Sequence, residues 1–162
     1  MIRTTFATLA SGLTLWAAAS VAQAQVPQYG PNVTHEQARK VLAAAIADAR
    51  RQNLPMAVAI VDTAGHLVAF ERMDNTQSAS IAVAQDKALS AAMYRRPTKV
   101  FQDLIAGGGV GLRVLSLRGA NAVEGGVPLA VDGKIIGAVG VSGGSSEQDG
   151  VVAKAGVDAL GK

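Results

Sequence analysis

The sequence predicts an α+β domain in which helices pack on an antiparallel sheet of about five strands. Two segments have the pattern of a β-hairpin, and segments with helical periodicity precede, separate and follow them. A hairpin joins neighbouring antiparallel strands, whereas parallel strands need a long crossover between them. Hydrophobic residues make up 49% of the chain and cysteine is absent, so the core has to form without disulfides.

The start of the chain has the composition of a secretory signal peptide. Arg3 provides a positive charge, an apolar stretch follows, and Ala22–Ala24 gives the small-x-small pattern that signal peptidase recognises. An uncleaved anchor would need about 20 apolar residues without such a site. We therefore predict a signal peptide at residues 1–24, an extended lead-in at 25–33 and a single domain at 34–162. The location is then periplasmic or secreted, with no membrane span after cleavage.

The first hairpin is predicted at Met56–Asp62 and His66–Arg72, because both segments are rich in β-forming residues and Gly65 lies in the turn between them. A second hairpin is centred on Asp132-Gly133, a dipeptide typical of type I′ turns. The two hairpins predict the strands of one antiparallel sheet.

The helices are predicted from caps and apolar spacing. Thr34 and Gln37 form a capping box ahead of the first helix. A second helix runs from about Ser78 to Tyr94 and is rich in alanine, so that its backbone can approach a neighbour closely.

Thr98 is expected to cap a short third helix. Ser145 or Ser146 caps the last one, where Glu147 and Asp149 are interpreted as acidic charges at the positive helix end.

Several functional classes find little support in the sequence. The basic residues are scattered, which argues against a nucleic-acid surface. No nucleophile elbow is present, and two histidines without cysteine offer little for a catalytic triad or a tight zinc site. The glycine-rich segment Gly107–Gly111 lacks the lysine and serine of a P-loop.

A haem site needs an axial ligand, an apolar slot and cations for the propionates. The chain can supply each of these. A simpler role is also open for two of the residues: His66 as a polar residue at the start of a strand, and Met93 as an apolar residue that fills the core. Possible iron ligands are His66, Met73, Met93, Tyr94 and His35, and possible propionate partners are Arg72, Arg95, Arg96 and Lys99.

Four ordered motifs carry a resemblance to a known family. They are VAIVDTAGHLVAFERMD from Val58, DKALSAAMYRRPT from Asp86, GGVPLAVDGKIIGAVGVSGG from Gly125 and EQDGVVAKAGVDAL from Glu147. Together they resemble the GlcG/HbpS family, which is related to the C-terminal domain of PduO. The resemblance implies a profilin-like α/β sandwich that assembles as a homo-oligomer, and it implies haem as the suspected cofactor.

The first functional hypothesis is an exported haem-binding protein for haem capture, buffering or sensing. The sheet and the alanine-rich helix would form its apolar walls, and His66 would be the metal ligand. The predicted cofactor-binding residues are His66, Arg72, Met73, Met93, Tyr94, Arg95 and Arg96.

Two other hypotheses remain open at this point. The chain could instead be a binding module for a small organic acid or a corrinoid, with N–H groups of the Gly125-Gly126 and Gly143-Gly144 turns facing a carboxylate. Oxidative degradation of haem is the third hypothesis, and no acid–base pair in the sequence compels it. A binding protein is therefore favoured over an enzyme.

Overall fold

The computed structural model describes residues 26–161. The predicted signal peptide and its cleavage site after Ala24 lie outside the described residues. The elements are α1 (His35–Arg51), β1 (Ala57–Asp62), β2 (Leu67–Arg72), α2 (Ser80–Tyr94), α3 (Lys99–Ala106), a 3₁₀ helix (Gly109–Ser116), β3 (Gly126–Val131), β4 (Lys134–Ser142) and α4 (Ser146–Asp158). The predicted order of helices and hairpins is confirmed.

The sheet has four strands in the order β2-β1-β4-β3, and every neighbouring pair is antiparallel. The predicted α+β class is therefore confirmed, but about five strands is slightly too many. The lead-in forms a single parallel bridge, from Tyr29 to Ile135, in place of a fifth strand. It lies beside β4 just beyond the point where β1 ends, with Asp62 opposite Gly137.

Helices cover both faces of the sheet because the side chains of β1 alternate between two clusters. Ala57, Ala59 and Val61 pack against α2, and all three are buried. Val58 and Ile60 point the other way and join a larger cluster with α1 and α4. A strand buried on both faces reads as a continuous apolar run, which is the pattern of β1.

The contact between α2 and the sheet is unusually close because small residues meet there. A Cβ added at Gly140 would lie 2.0 Å from the carbonyl oxygen of Ala84 and 2.5 Å from the backbone nitrogen of Ala88. Ala84, Ala88, Ala91 and Ala92 are all fully buried. The close approach predicted from the alanine-rich sequence is thus confirmed.

Most of the predicted caps and turns form. Capping boxes link Thr34 with Gln37 and Ser145 with Gln148. Asp132 and Gly133 have φ values of 50° and 73°, as a type I′ turn requires.

Thr98 behaves differently from its prediction as a helix cap. Its side chain accepts no capping hydrogen bond from the backbone at the start of α3. Its buried hydroxyl instead accepts a hydrogen bond of 2.9 Å from the backbone N–H of Gly126. Thr98 therefore joins the start of α3 to the start of β3.

Within residues 26–161, no helix combines the length and the apolar character that crossing a membrane would require.

Candidate functional site

The turn between β1 and β2 holds His66 in a defined orientation. One carboxylate oxygen of Asp62 accepts hydrogen bonds of 2.9 Å from the backbone N–H groups of Ala64 and His66. The other carboxylate oxygen lies 3.4 Å from Nδ1 of His66, whose side chain is 81% exposed. Nδ1 is therefore engaged, and Nε2 is the ring nitrogen that can face a ligand.

Asp62 remains ionised because its hydrogen bonds outweigh its burial. Burial would raise the pKa of Asp62, but the N–H groups of His66 and Ala64 and the nearby imidazole hold that pKa below its ordinary value. A charged carboxylate that contacts Nδ1 favours the tautomer with the proton on Nδ1. The free electron pair is then on Nε2, where a metal ion would bind.

The turn that carries His66 packs on the same face of α2 as Met93. A Cβ added at Gly65 would lie 2.1 Å from the Leu89 side chain, so this turn rests directly on Leu89. Met93 follows Leu89 by one helical turn, or about 6 Å. Met93 is 48% exposed and Leu67, next to His66, is 51% exposed. The turn that carries His66 and the side chain of Met93 are therefore both adjacent to Leu89.

The C-terminal end of α2 gathers aromatic rings and guanidinium groups. The guanidinium of Arg95 lies 5.2 Å from the centre of the Tyr29 ring, and that of Arg96 lies 5.8 Å from the centre of the Phe101 ring. The Tyr94 hydroxyl donates a hydrogen bond of 2.7 Å to the Arg118 carbonyl. Tyr94 is therefore occupied by a structural contact. Arg95 donates a hydrogen bond of 3.2 Å to the Pro27 carbonyl and Arg96 one of 3.1 Å to the Tyr94 carbonyl, and both side chains remain partly at the surface.

Arg72 and Met73 lie at the other end of β2. His66 immediately precedes this strand and Arg72 is its last residue, so their backbones are about 20 Å apart at the usual rise of a strand. Arg72 and Met73 border a separate polar pocket with Arg50 and Glu71. One subunit therefore brings His66, Met93 and the arginines after Tyr94 to one end of the molecule and leaves Arg72 and Met73 at the opposite end.

The expectation that the sheet and α2 form the walls of a haem slot is wrong. Gly140 of β4 and the alanines of α2 are in close contact, which leaves no space for a macrocycle between these elements. A ligand that contacts α2 therefore has to reach its outer face or its C-terminal end.

Sequence reasoning missed a buried ion pair. Nζ of Lys87 donates hydrogen bonds to Asp149 at 2.6 Å and to the Val141 carbonyl at 3.1 Å. The Lys87 and Asp149 side chains are 1% and 4% exposed. Burial raises the pKa of Asp149, and the lysine and the N–H of Gly144 only partly offset this effect. Asp149 is thus not the simple helix-start charge predicted, whereas Glu147 does occupy that exposed position.

The signal for this pair lies in the helical spacing of α2. Lys87 follows Ala84 by three residues and precedes Ala91 by four, so it falls on the alanine face that packs on the sheet. A lysine on a buried face needs a charged partner.

The described part of the chain also contains an apolar pocket of about 350 Å³ between α3, β3 and α4. Gly125 and Gly126 line it, but Gly143 and Gly144 do not. The N–H of Gly126 donates to Thr98, and the N–H of Gly144 donates to Asp149. These two N–H groups are already used inside the protein, which weakens the organic-acid hypothesis.

The rim of this pocket carries balanced charges. Lys99 pairs with Asp103, and Lys154 pairs with Asp158. The hydrogen bond that the Lys99 ammonium donates to Asp103 is the main cause that raises the pKa of Lys99. Within residues 26–161, the rim of this pocket included, no group of three or more histidine, cysteine or carboxylate side chains is placed to hold a metal ion.

The comparisons with known proteins define the family. A family model described as "Haem degrading protein HbpS-like" matches residues 33–158. The chain therefore belongs to the HbpS-like family, and the resemblance noted in its motifs is confirmed. Protein GlcG of Escherichia coli K12 is 38% identical over 110 residues, which cover 68% of this chain and 81% of GlcG.

Solved structures show the same fold. The crystal structure of HbpS has a TM-score of 0.75 and 27% identity, and the match covers 91% of this chain and 100% of that one. The crystal structure of a PduOC–haem complex has a TM-score of 0.71 and 29% identity, with coverage of 79% and 94%. The haem of that complex belongs to PduOC.

Proposed function

We propose that this protein is an exported haem-binding protein that captures, buffers or senses haem, with His66 as the iron ligand. Membership of the HbpS-like family and the similarity to the PduOC–haem complex support haem as the ligand. The observation that carries the proposal is the imidazole of His66, which Asp62 orients through Nδ1 and which is otherwise open to solvent. Carboxylate–histidine pairs are the usual way in which proteins present a ring nitrogen to a metal.

The surroundings of His66 supply the other requirements of a porphyrin. Leu67, Leu89 and Met93 would provide apolar contact beside the imidazole. Arg95 and Arg96, which follow Met93 at the end of α2, would supply two cations to the propionates. Haem would supply the redox and ligand-binding iron, while these residues bind and orient it.

The iron ligand is tested by haemin titration of the purified protein and of His66→Ala. The native protein is expected to give a saturable shift of the Soret band, and His66→Ala is expected to weaken binding at least tenfold. His35→Ala is the matched control, because His35 is also exposed and is the only other histidine of the chain. Equal binding by native protein and His66→Ala would contradict the assignment of the ligand.

The propionate contacts are tested by comparing two arginines at opposite ends of the molecule. Arg96→Ala is expected to weaken haemin binding several-fold, whereas Arg72→Ala is expected to leave it unchanged. The reverse result would move the site to the end of β2 where Arg72 and Met73 lie.

The same samples separate binding from the other functions. A Soret band that persists after addition of ascorbate supports a binding protein, while its steady loss supports haem degradation. A thermal shift with glycolate and none with haemin would favour the organic-acid hypothesis, because a ligand that binds only the folded form raises the melting temperature.

Export is a separate part of the proposal and rests on the first residues of the sequence. Protein purified from the periplasm or the medium is expected to begin at Gln25 when its N-terminus is sequenced. Protein that stays in the cytoplasm and begins at Met1 would contradict export without affecting haem binding.

A further inference from the structure

A ridge of exposed aliphatic side chains runs along α3 and the 3₁₀ helix. We call it the apolar ridge, and it comprises Val100, Leu104, Val110, Leu112, Leu115 and Leu117. Val110 and Leu115 are 74% and 73% exposed, and the other four are between 37% and 48% exposed. Contiguous exposed aliphatic side chains of this kind typically mark a binding surface.

The geometry of these two helices keeps the ridge facing outward. Phe101 is the buried residue of α3, and Val114 is the buried residue of the 3₁₀ helix. Residues three apart lie on the same side of a 3₁₀ helix, so Leu112 and Leu115 share a side that differs from the side of Val114. With Val114 anchored in the protein, Leu112 and Leu115 cannot turn inward.

The ridge carries a net positive charge. Lys99 and Asp103, beside Val100 and Leu104 on α3, pair with each other. Between Leu104 and Val123 the sequence contains Arg113 and Arg118 and no aspartate or glutamate. Both arginines are exposed. None of the ion pairs found in the described part of the chain includes either of them. The occupant of this surface should therefore be apolar and anionic.

We propose that the apolar ridge docks on an anionic lipid surface. An anionic bilayer has negatively charged headgroups at its surface and apolar acyl chains beneath them. This arrangement matches aliphatic side chains that are flanked by arginines. A second copy of the chain fits less well, because contact between two ridges would bring four arginines together. The one carboxylate within residues 100–117, that of Asp103, is already paired with Lys99. The protein lies on the bilayer in this arrangement, in agreement with its lack of a spanning helix within residues 26–161.

Vesicle co-sedimentation tests the proposal with the purified protein. We expect binding to vesicles of phosphatidylcholine mixed with phosphatidylglycerol, and little binding to vesicles of phosphatidylcholine alone. Each arginine near an anionic surface contributes about fivefold in affinity, so Arg113→Ser with Arg118→Ser should weaken binding about 25-fold. Added salt should weaken binding of the native protein and should have less effect on this variant.

The aliphatic contribution is tested with Leu112→Ser combined with Leu115→Ser. Both side chains are exposed, so the variant should fold, and it should bind the mixed vesicles at least tenfold more weakly. Val151→Ser is the matched apolar control, because Val151 is 56% exposed on α4, outside the ridge. Arg39→Ser on α1 is the matched charge control. Both controls should bind like the native protein.

Two results would overturn the proposal. The first is equal binding to neutral and anionic vesicles, or none to either. The second is that the Leu112→Ser, Leu115→Ser variant loses self-association by light scattering, which would assign the ridge to a second copy of the chain.

Discussion

At the scale of single residues, the ion pair between Lys87 and Asp149 is the main electrostatic feature of the interior. Its partners come from α2 and α4, and the Val141 carbonyl of β4 accepts from the same ammonium. The pair therefore fixes the position of both helices against the sheet. Removing one member leaves an uncompensated buried charge, which costs far more than replacing both members together.

We predict that Lys87→Met or Asp149→Leu alone lowers the free energy of unfolding by about 3–5 kcal/mol. The double variant should recover much of this loss, because it leaves no charge buried without a partner. Urea denaturation of the native protein, the two single variants and the double variant gives the interaction free energy between Lys87 and Asp149. Lys99→Met, at the exposed pair with Asp103, is the control and should change stability little. Additive losses in the double variant would contradict this account.

Asp62 leads to a pH-dependent prediction. Its pKa is lower in the folded protein than its ordinary value, so the ionised carboxylate stabilises the fold at pH values above that ordinary range. This contribution is lost as the pH falls through the lowered pKa of the folded state. Asp62→Asn should thus be less stable than native protein at neutral pH, and the difference should shrink in acid. Unfolding measured across pH checks this, and a difference that grows in acid would contradict it.

At the scale of elements, the fit of α2 against β4 determines where a ligand can bind. Gly140 allows the helix backbone to rest on the strand, so this interface is closed. On α2, only the outer face and the C-terminal end are left for ligand contacts, and Leu89, Met93, Arg95 and Arg96 lie there.

We predict that Gly140→Ala destabilises the protein by about 3 kcal/mol, because the new methyl group overlaps backbone atoms of α2 that cannot move independently. Gly107→Ala is the control, since a Cβ there would meet its nearest atoms at 3.5 Å and 3.6 Å, which are ordinary contacts. The midpoints of chemical denaturation compare the two variants. Equal midpoints would mean that α2 packs less tightly on β4 than these distances indicate.

The helices and hairpins were predictable because caps, turn dipeptides and apolar spacing are local signals. Thr34, Ser145 and Asp132-Gly133 act as their sequence context indicates. Thr98 and Asp149 do not, because their partners Gly126 and Lys87 come from distant segments. The separation of His66 from Arg72 was already implied by the predicted strand His66–Arg72. The packing of Gly65 on Leu89, which brings His66 beside α2, depends on tertiary structure and was out of reach.

At the scale of the whole molecule, the proposed haem site at His66 would leave one face of the porphyrin in water on a single subunit. A second subunit could cover that face, and the family resemblance also favours a homo-oligomer. We predict that light scattering coupled to size exclusion gives a mass that is a multiple of the subunit mass, with and without haemin. The Leu112→Ser, Leu115→Ser variant should keep that mass. A monomer at every concentration would contradict the prediction.

The sheet order also has a consequence for how the chain folds. The central ladder joins Ala57–Asp62 to Gly137–Ser142, and the whole segment from β2 to β3 lies between them in sequence. Each hairpin can form within microseconds, whereas the ladder must wait until this long loop has closed. We therefore expect the middle of the sheet to be assembled last, and each hairpin would expose an unpaired inner edge until then.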